Sequence, residues 1–412
     1  MRKWWSGFSR EYKLLILVWL FAGLTSGLYD PTFNNYLSHI FNISAKIRGY
    51  LEFPREMPGF LVAVISGVLI FLADVHLLGL AIGLTALGLV GQSFAVWRGQ
   101  PQFGWMIGSM LIWSVGTHLF LPLSSSVSLR FSDPAGAGKS LGRLNGVNTA
   151  AYIIGCALIW ALMDWWKFSY GMVFRLAAIF SLAAVGCLLI MKVKPQPQPE
   201  KGGPRLKLVF RKEYSLFYWL NVLFGARKQV FLTFAPWVLI KIYHQNAGTF
   251  AALLITASLI GVFFKPWLGR MIDRVGERKI LMAEALSLIF ICLGYGFAGH
   301  LGIGDYAIYL LFFCFVCDQL LFAASMARTT YLHKRLVVES DLTPTLSMGV
   351  SLDHLVSMTV PVLGGLLWEA YGFESIFLAA ALIAGINLFA ASKVSDKIVV
   401  APGESPAAGA AK

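Results

Sequence analysis

Two basic residues lie in the middle of an apolar stretch that reads LFGARKQVFLTF, residues 223–234. Arg227 and Lys228 are followed there by Gln229, and the surrounding segment is long enough to cross a bilayer as a helix. A cation in hydrocarbon costs several kcal/mol unless it faces a cavity or an opposite charge. Adjacent residues point about 100° apart around a helix, so the two cations meet different neighbours. We expect one to face a solute path and the other to pair with a neighbouring helix.

Candidate partners for these cations occur at similar depth in other apolar stretches. Asp318 lies in CFVCDQLLF, and Asp30 and Asn34 lie in SGLYDPTFNNYL. Gly23, Gly27, Asp30 and Asn34 fall on one helical stripe, and Pro31 removes a backbone donor, which is typical of a kinked helix beside a solute path. The predicted solute-binding set is therefore Asp30, Asn34, Arg227, Lys228, Gln229 and Asp318.

A second set of ionisable residues has the chemistry to carry a proton. Glu52 and Glu56 are four residues apart and share a helix face with Arg55, and like charges on one face raise the pKa of a carboxyl group. Asp353 and His354 are adjacent in VSLDHLVSM. We predict Glu52, Glu56, Asp353 and His354 as proton-coupling residues. His118 has two interpretations, a titrating group or a histidine held in packing.

The elements that must position these residues are membrane-spanning helices. The chain has 412 residues, 57% of them hydrophobic and only 13% charged, which indicates an all-α membrane protein. Most lysines and arginines fall in alternate connecting segments, so both termini are expected in the cytoplasm, and the net charge of +13 indicates orientation and not nucleic-acid binding. We predict twelve transmembrane helices at about 14–40, 50–73, 77–97, 103–126, 142–165, 170–191, 214–240, 247–268, 280–299, 305–328, 343–369 and 373–392.

The twelve predicted helices divide six and six around a stretch rich in Pro, Gly and Lys. The predicted domains are an N-terminal six-helix bundle (1–192), a cytoplasmic linker (193–213), a C-terminal six-helix bundle (214–392) and a disordered cytoplasmic tail (393–412). The two halves have nearly equal length, which suggests an internal duplication.

One connecting segment carries a sequence signature. Residues 269–279 read GRMIDRVGERK, and Asp74 stands at the corresponding place in the first half, where Val75 and His76 replace the basic residues. Gly269, Asp273, Arg274, Gly276 and Arg278, with Lys279, resemble the loop signature of the major facilitator superfamily, G-x-x-x-D-R-x-G-x-R-[RK]. We expect the first glycine to permit close helix packing, the aspartate to cap a helix start and pair with arginine, and the second glycine to form a tight turn.

This resemblance implies two six-helix bundles related by pseudo-twofold symmetry, a solute site near the midplane, and alternating access. Asp74, Gly269, Asp273, Arg274, Gly276 and Arg278 would then form a gating motif. The segment GAGKSLG at 135–141 lacks the full phosphate-binding pattern, so no nucleotide site is expected.

The sequence therefore predicts a secondary active transporter, not an enzyme, for a small anionic or zwitterionic solute, coupled to protons, in the cytoplasmic (inner) membrane. Expected partners are the solute, protons and the lipid bilayer, with the chain acting as a monomer and with no cofactor, metal or nucleic acid. Two alternatives remain: a proton-driven multidrug exporter, and a membrane receptor or metal/redox protein. The redox alternative would use Cys314 and Cys317, whose spacing suits soft metals or thiol chemistry.

Overall fold

The computed structural model describes residues 8–68, 74–131, 137–192, 210–338 and 341–395, without the side chains of 63–68, Ala137 and Thr343. Most of the predicted linker (193–209) and most of the predicted tail (396–412) lie outside these residues. Within them, nearly all secondary structure is helical. The exception is a two-stranded antiparallel hairpin, β1 (Val96–Trp97) and β2 (Gln100–Pro101).

Six long helices form in the first half of the described chain. They are α1 (Arg10–Phe41), α2 (Ala45–Val68), α3 (Asp74–Ser93), α4 (Phe103–Arg130), α5 (Ala137–Ile159) and α6 (Tyr170–Leu189). A π-helical turn at Trp160–Trp165 extends α5. The Ser9 side chain caps α1 by accepting a hydrogen bond from the Tyr12 backbone N–H, and α1 continues through Pro31.

The second half of the chain has the same helical character. Its helices are α7 (Ser215–Lys241), α8 (Ala247–Val275), α9 (Glu277–Phe297), α10 (Ala307–Leu321), α11 (Ser325–Lys334), α12 (Leu342–Tyr371) and α13 (Phe373–Ser392). A 3₁₀ turn at Phe322–Ala324 joins α10 to α11, so these two helices continue one another.

Ten helices in the described residues are long and apolar enough to cross a membrane. The two remaining long helices are α2, which carries Glu52, Arg55 and Glu56, and α7, which carries Arg227 and Lys228. Each of the twelve predicted spans overlaps a helical segment. Hydropathy thus predicted the helical segments well, because an apolar run must satisfy its backbone groups within a bilayer by forming a helix.

The chain divides into two compact units. The first unit comprises residues 1–44, 54–199 and 239–258, and the second comprises residues 45–53, 200–238 and 259–412. Residues 45–53 of helix α2 therefore belong to the second unit, and the rest of the helix belongs to the first.

Close packing of α1 against α5 organises the first unit. A Cβ atom at Gly23 would meet the Asn148 carbonyl oxygen, and one at Gly27 would meet the Tyr152 carbonyl oxygen and lie 2.9 Å from Cα of Gly155. The expectation that these glycines line a solute path is therefore wrong. They permit backbone contact between two helices, as small residues do in membrane bundles.

The second unit has a core of apolar residues from α7, α8, α9, α11, α12 and α13, with Tyr214 just before α7 and with Ile272, Leu281 and Leu332 among its members. Asp341, fully buried, accepts hydrogen bonds from Arg211 Nε (2.6 Å) and from the Tyr214 hydroxyl (3.2 Å). These contacts attach the segment just before α7 to the residue just before α12.

Candidate functional site

Helix α7 directs its two mid-helix cations to different helices of the second unit. Arg227 lies twelve residues after the start of α7 at Ser215, about 18 Å along the axis at 1.5 Å per residue. Arg227 pairs with Asp318 of α10, and Lys228 pairs with Asp353 of α12. Both cations are thus neutralised, and the expected divergence of adjacent side chains is observed.

The Arg227–Asp318 pair is closed off from solvent. The guanidinium Nη2 lies 3.0 Å from Asp318 Oδ1, and the side chains are 2% and 1% exposed. Arg227 Nε and Nη1 and Asp318 Oδ2 have no hydrogen-bond partner among the described residues. A buried pair with unsatisfied atoms is costly to keep, so its net effect on stability is small while the loss of one partner is expensive.

The Lys228–Asp353 pair is more accessible. Lys228 Nζ lies 2.5 Å from Asp353 Oδ2, with side chains 14% and 16% exposed. Gly225, one turn before Lys228, makes the approach possible, since a Cβ there would meet the Asp353 carboxylate and lie 3.0 Å from its backbone oxygen. Because Gly225 has no side chain, Asp353 can approach α7 closely enough to pair with Lys228.

A third ion pair, which the sequence interpretation missed, lies beside the other two. Arg328 of α11 reaches Glu284 of α9 (Nη1 to Oε2, 3.4 Å), and both side chains are buried. The Arg328 guanidinium lies 3.7 Å from the centre of the Phe224 ring, while Arg227 and Lys228 lie at 5.8 and 5.9 Å from it. Three cations, each paired with a carboxylate, thus lie near one aromatic ring, which contributes cation–π attraction.

Glu52 has an arginine partner on its own helix. Glu52, fully buried in the second unit, forms an ion pair with Arg48 and accepts a hydrogen bond from Gln229 Nε2 at 2.6 Å. Arg48 precedes the predicted span of 50–73, but α2 begins at Ala45 and includes it. Each of the two carboxylates thus has an arginine partner, Arg48 for Glu52 and Arg55 for Glu56.

Glu56 belongs to a separate group in the first unit. Its carboxylate lies 3.2 Å from Arg55 Nη2 and 3.9 Å from His118 Nε2 of α4. Arg55 therefore pairs with the adjacent Glu56. His118 Nδ1 lies 2.9 Å from the backbone oxygen of Ser114, which fixes the orientation of the ring.

Asp30 and Asn34 are the solute-binding candidates of α1. The Asp30 side chain is exposed although it lies in mid-helix, and Tyr152 of α5 and Arg55 are its electrostatic partners within the first unit. Asn34 is half-buried. His354 is half-buried next to Asp353, but Asp353 has Lys228 as its partner.

The signature segment forms the turn between α8 and α9. Gly276 adopts φ +87°, a left-handed conformation that favours glycine, between the end of α8 at Val275 and the start of α9 at Glu277. Asp273 lies in the last turn of α8, exposed beside Arg274, so the expectation that it caps a helix start is wrong. A Cβ at Gly269 would meet nothing within 4 Å among the described residues, so close packing at this glycine is not observed.

Two further gating candidates have different surroundings. Asp74 starts α3, and its carboxylate accepts a hydrogen bond from the Ser126 hydroxyl of α4 at 2.7 Å. Arg278 is exposed in the first turn of α9. The adjacent Glu277 is buried and pairs with Lys334 of α11 at 2.7 Å. This pair was not singled out from the sequence.

All five cysteines are free thiols. Cys314 is buried and Cys317 is half-buried, three residues apart on α10 and close to Asp318. Two thiols on one helix supply half of a usual tetrahedral metal site.

Paired charges inside helical bundles allow exchange of partners: a carboxylate that takes a proton releases its cation. A family model described as the Major Facilitator Superfamily matches residues 57–336. The chain belongs to the major facilitator superfamily.

Solved transporter structures share the fold of this superfamily member at low identity. A variant of the nucleoside transporter NupG has a TM-score of 0.76 and 14% identity, covering 93% of this chain and 99% of its own. A bacterial homologue of the iron transporter ferroportin, inward-facing, has a TM-score of 0.71 and 13% identity, covering 93% and 99%. A D-xylose–proton symporter has a TM-score of 0.66 and 14% identity, covering 94% and 98%. No curated protein sequence matches the chain.

The major facilitator assignment makes the chain a multi-pass membrane protein and a secondary transporter, in a family whose members are transporters and not enzymes. The family resemblance found in the signature segment, residues 269–279, is therefore confirmed.

Proposed function

We propose that this major facilitator protein carries a small anionic or zwitterionic solute across the cytoplasmic membrane by alternating access, coupled to protons. The observation that carries the proposal is the Lys228–Asp353 ion pair, which lies in mid-helix and is partly exposed. In such a pair, a proton can neutralise the carboxylate while a solute anion takes its place beside the ammonium group.

Charge balance gives the coupling. Lys228 holds Asp353 as long as the carboxylate is ionised. When Asp353 takes a proton, the ammonium loses its counter-ion in a low-dielectric setting, where an unpaired charge is costly. A solute carboxylate or phosphate group then replaces Asp353 on Lys228. Proton and anion therefore bind together, and the net charge of the group does not change.

Arg227 has a different role in this proposal. Its pair with Asp318 is almost fully buried, so a solute cannot reach it without a rearrangement of α7 against α10. Gln229, also on α7, donates to Glu52, which Arg48 already neutralises. We therefore assign Arg227, Asp318, Gln229 and Glu52 to holding the charged helices in place, and Lys228 to solute binding.

The remaining sequence candidates complete the proposal. Glu56 and His118 form a second pair that is able to hold a proton, and Asp30 and Asn34 offer polar contacts on α1. His354 lies next to Asp353 as a further proton-coupling candidate. The D-xylose–proton symporter among the structural neighbours supports the idea that this fold couples a solute to protons.

The architecture proposed with this function is twelve transmembrane helices in two six-helix bundles related by pseudo-twofold symmetry, 1–192 and 214–392. Residues 193–213 would be the cytoplasmic linker and 393–412 the tail, with both termini in the cytoplasm and the protein monomeric. We propose Asp74, Gly269, Asp273, Arg274, Gly276 and Arg278 as the gating motif.

Ligand-induced thermal stabilisation of the purified protein tests the proposal. A panel of small carboxylates, phosphates, amino acids, sugars and cationic drugs is applied to the wild type and to Lys228→Met. A ligand that binds the native state raises the melting temperature. We expect stabilisation by an anion or zwitterion that Lys228→Met abolishes. Lys393→Met, which removes a lysine just beyond the end of α13, serves as the control and should keep the response.

Other outcomes would overturn the proposal in favour of a different one. Stabilisation by cationic or neutral drugs alone, unchanged in Lys228→Met, would favour multidrug export. Binding without flux in sealed vesicles would indicate a receptor. Loss of all activity in Cys317→Ser would favour metal or redox chemistry.

A further inference from the structure

An apolar groove runs between α12 and α13 in the second unit, with Val230 of α7 at its floor. Its volume is about 490 Å³. All of its described lining residues are Val, Leu, Ile, Ala or Gly except Tyr371, so the Tyr371 hydroxyl is the one polar side-chain group of this lining. A ligand of this groove must therefore be almost entirely hydrocarbon.

The groove begins at the turn that joins its two helices. Gly372, with φ +83°, is the single residue between the end of α12 at Tyr371 and the start of α13 at Phe373. From Tyr371 the lining extends along α12 to Val360, which is about 16 Å at 1.5 Å per residue. One leaflet of the hydrocarbon core of a bilayer is about 15 Å thick. The groove therefore matches the depth of one leaflet.

The groove opens away from the helix that packs on the other side of α12. A Cβ at Gly365 would lie 2.8 Å from Cα of Lys46 in α2. Leu363 is two residues away, about 160° around the helix, and is 65% exposed at the rim of the groove. Ala380 of α13 and Val230 are buried and form its floor. Because both α12 and α13 are apolar enough to cross the membrane, the bilayer surrounds this exposed face.

The chemistry of the lining selects a hydrocarbon chain. A charged or hydrogen-bonding solute would lose its water in the groove without gaining a partner, which is costly. A fatty acyl chain needs no polar partner, and in a bilayer it extends through one leaflet, as the groove does. Tyr371 is 76% exposed at the turn, where interfacial aromatic side chains lie at the level of lipid head groups.

We propose that this groove is a binding site for one acyl chain of a membrane phospholipid. The chain lies along α12, with its head-group end at Tyr371 and its methyl end at Val360. In the topology proposed above, the lipid belongs to the outer leaflet. Since no charged residue lines the groove, the site selects the chain and not the charge of the head group. The site does not depend on the proposed transport function.

Photolabelling of the full-length protein in proteoliposomes tests the site and the direction of the chain. One phosphatidylcholine probe carries a diazirine at the methyl end of a chain, and a second carries it beside the head group. Labelled residues are identified by mass spectrometry. The methyl-end probe should label Val360 roughly threefold more than Leu259, which lies on an exposed face of α8, because a chain held in a groove makes more contacts.

The head-group probe has its own matched comparison. It should label Tyr371 roughly threefold more than Tyr306, a similarly exposed tyrosine just before α10 that lines no part of the groove. Equal labelling at both pairs of positions would overturn the proposal, because it would describe only the general lipid shell. Methyl-end labelling at Tyr371 instead of Val360 would overturn the assigned direction of the chain.

Variants that fill the groove locate the binding. Ala370→Leu and Ala379→Leu each add bulk to the lining and should reduce labelling of Val360 by the methyl-end probe roughly threefold. Ala283→Leu adds the same bulk on an exposed position of α9 and is the control, with labelling as in the wild type. Melting temperatures show that each variant is folded. Unchanged labelling in both groove variants would overturn the assignment.

Native mass spectrometry of the delipidated protein tests what the groove selects. Phosphatidylcholine and phosphatidylglycerol with the same long chains should be retained equally, and dihexanoyl phosphatidylcholine, with short chains, should not be retained. Strong preference for the anionic phosphatidylglycerol would overturn the proposal, because it would place binding on a charged head-group site. A protein dimer that Ala379→Leu abolishes would also overturn it, because a second copy of the chain would then occupy the groove.

Discussion

Lys228 holds Asp353 at 2.5 Å across α7 and α12, and the preceding residue on α7 is engaged with a different helix. The two cations of one apolar segment are thereby divided between a partly exposed pair and a closed pair. The closed pair resists exchange and the partly exposed pair permits it. This difference in access is the physical basis of the proposed transport chemistry.

The buried Arg227–Asp318 pair leads to a prediction about the stability of the protein. Arg227→Met leaves the Asp318 carboxylate buried without a partner, which should lower the free energy of unfolding by roughly 3–5 kcal/mol. The double variant Arg227→Met/Asp318→Leu removes both charges and should recover most of that loss. Denaturant or thermal unfolding in detergent measures both.

Lys46→Met is the control for this series, because Lys46 and Glu369 are 3.7 Å apart and both well exposed. An exposed pair contributes about 0–1 kcal/mol, so the control should change stability little. A double variant as unstable as Arg227→Met alone would contradict the assignment of Arg227 to Asp318.

Gly225 controls the geometry of the partly exposed pair. Gly225→Ala places a methyl group against the Asp353 backbone, 3.0 Å from its oxygen, and against its carboxylate. We expect the variant to displace Asp353 from Lys228 and to reduce solute-induced stabilisation at least tenfold in apparent affinity. Gly385→Ala of α13, where a Cβ meets nothing within 4 Å among the described residues, should bind normally. Normal binding in Gly225→Ala would contradict the close approach.

Phe224 links the three ion pairs. Phe224→Leu removes the ring that faces the Arg328 guanidinium at 3.7 Å, and should lower stability by about 1–2 kcal/mol beyond the loss of apolar area. Phe224→Tyr keeps a π face and should retain the interaction. A double-mutant cycle with Arg328→Met measures the coupling. A coupling energy near zero would show that the ring only fills space.

Gly27 tests the packing of the first unit. Gly27→Ala puts a methyl group against the Tyr152 carbonyl and the α5 backbone, so it should lower the melting temperature by several degrees. Gly83→Ala of α3, with open space at its Cβ among the described residues, should be neutral or slightly stabilising because alanine favours helix. If Gly27→Ala is as stable as the wild type, α1 and α5 do not pack as described.

Much of the fold follows from the sequence, because length and hydropathy determine where a chain can cross a bilayer. The divergence of Arg227 and Lys228 also follows from helical geometry alone, since adjacent side chains point about 100° apart. Asp318 and Asp353 could be identified as candidate partners from the sequence, because an ionisable group in an apolar run needs an opposite charge nearby.

The partners themselves could not be predicted without tertiary structure. Glu284 and Arg328 fall near the ends of their predicted spans, where charged residues are ordinary, yet they form a buried pair. Arg48 was placed outside the bilayer because the start of α2 was predicted too late.

Uptake of the stabilising anion into proteoliposomes under an imposed pH gradient tests the central claim most directly. In the wild type, a more acidic exterior should drive accumulation, because Asp353 must take a proton before the anion can bind Lys228. In Asp353→Asn, which keeps the shape of the side chain but cannot ionise, pH-driven accumulation should disappear while exchange of labelled for unlabelled anion continues. Undiminished pH-driven accumulation in Asp353→Asn would contradict the coupling of Asp353 to transport.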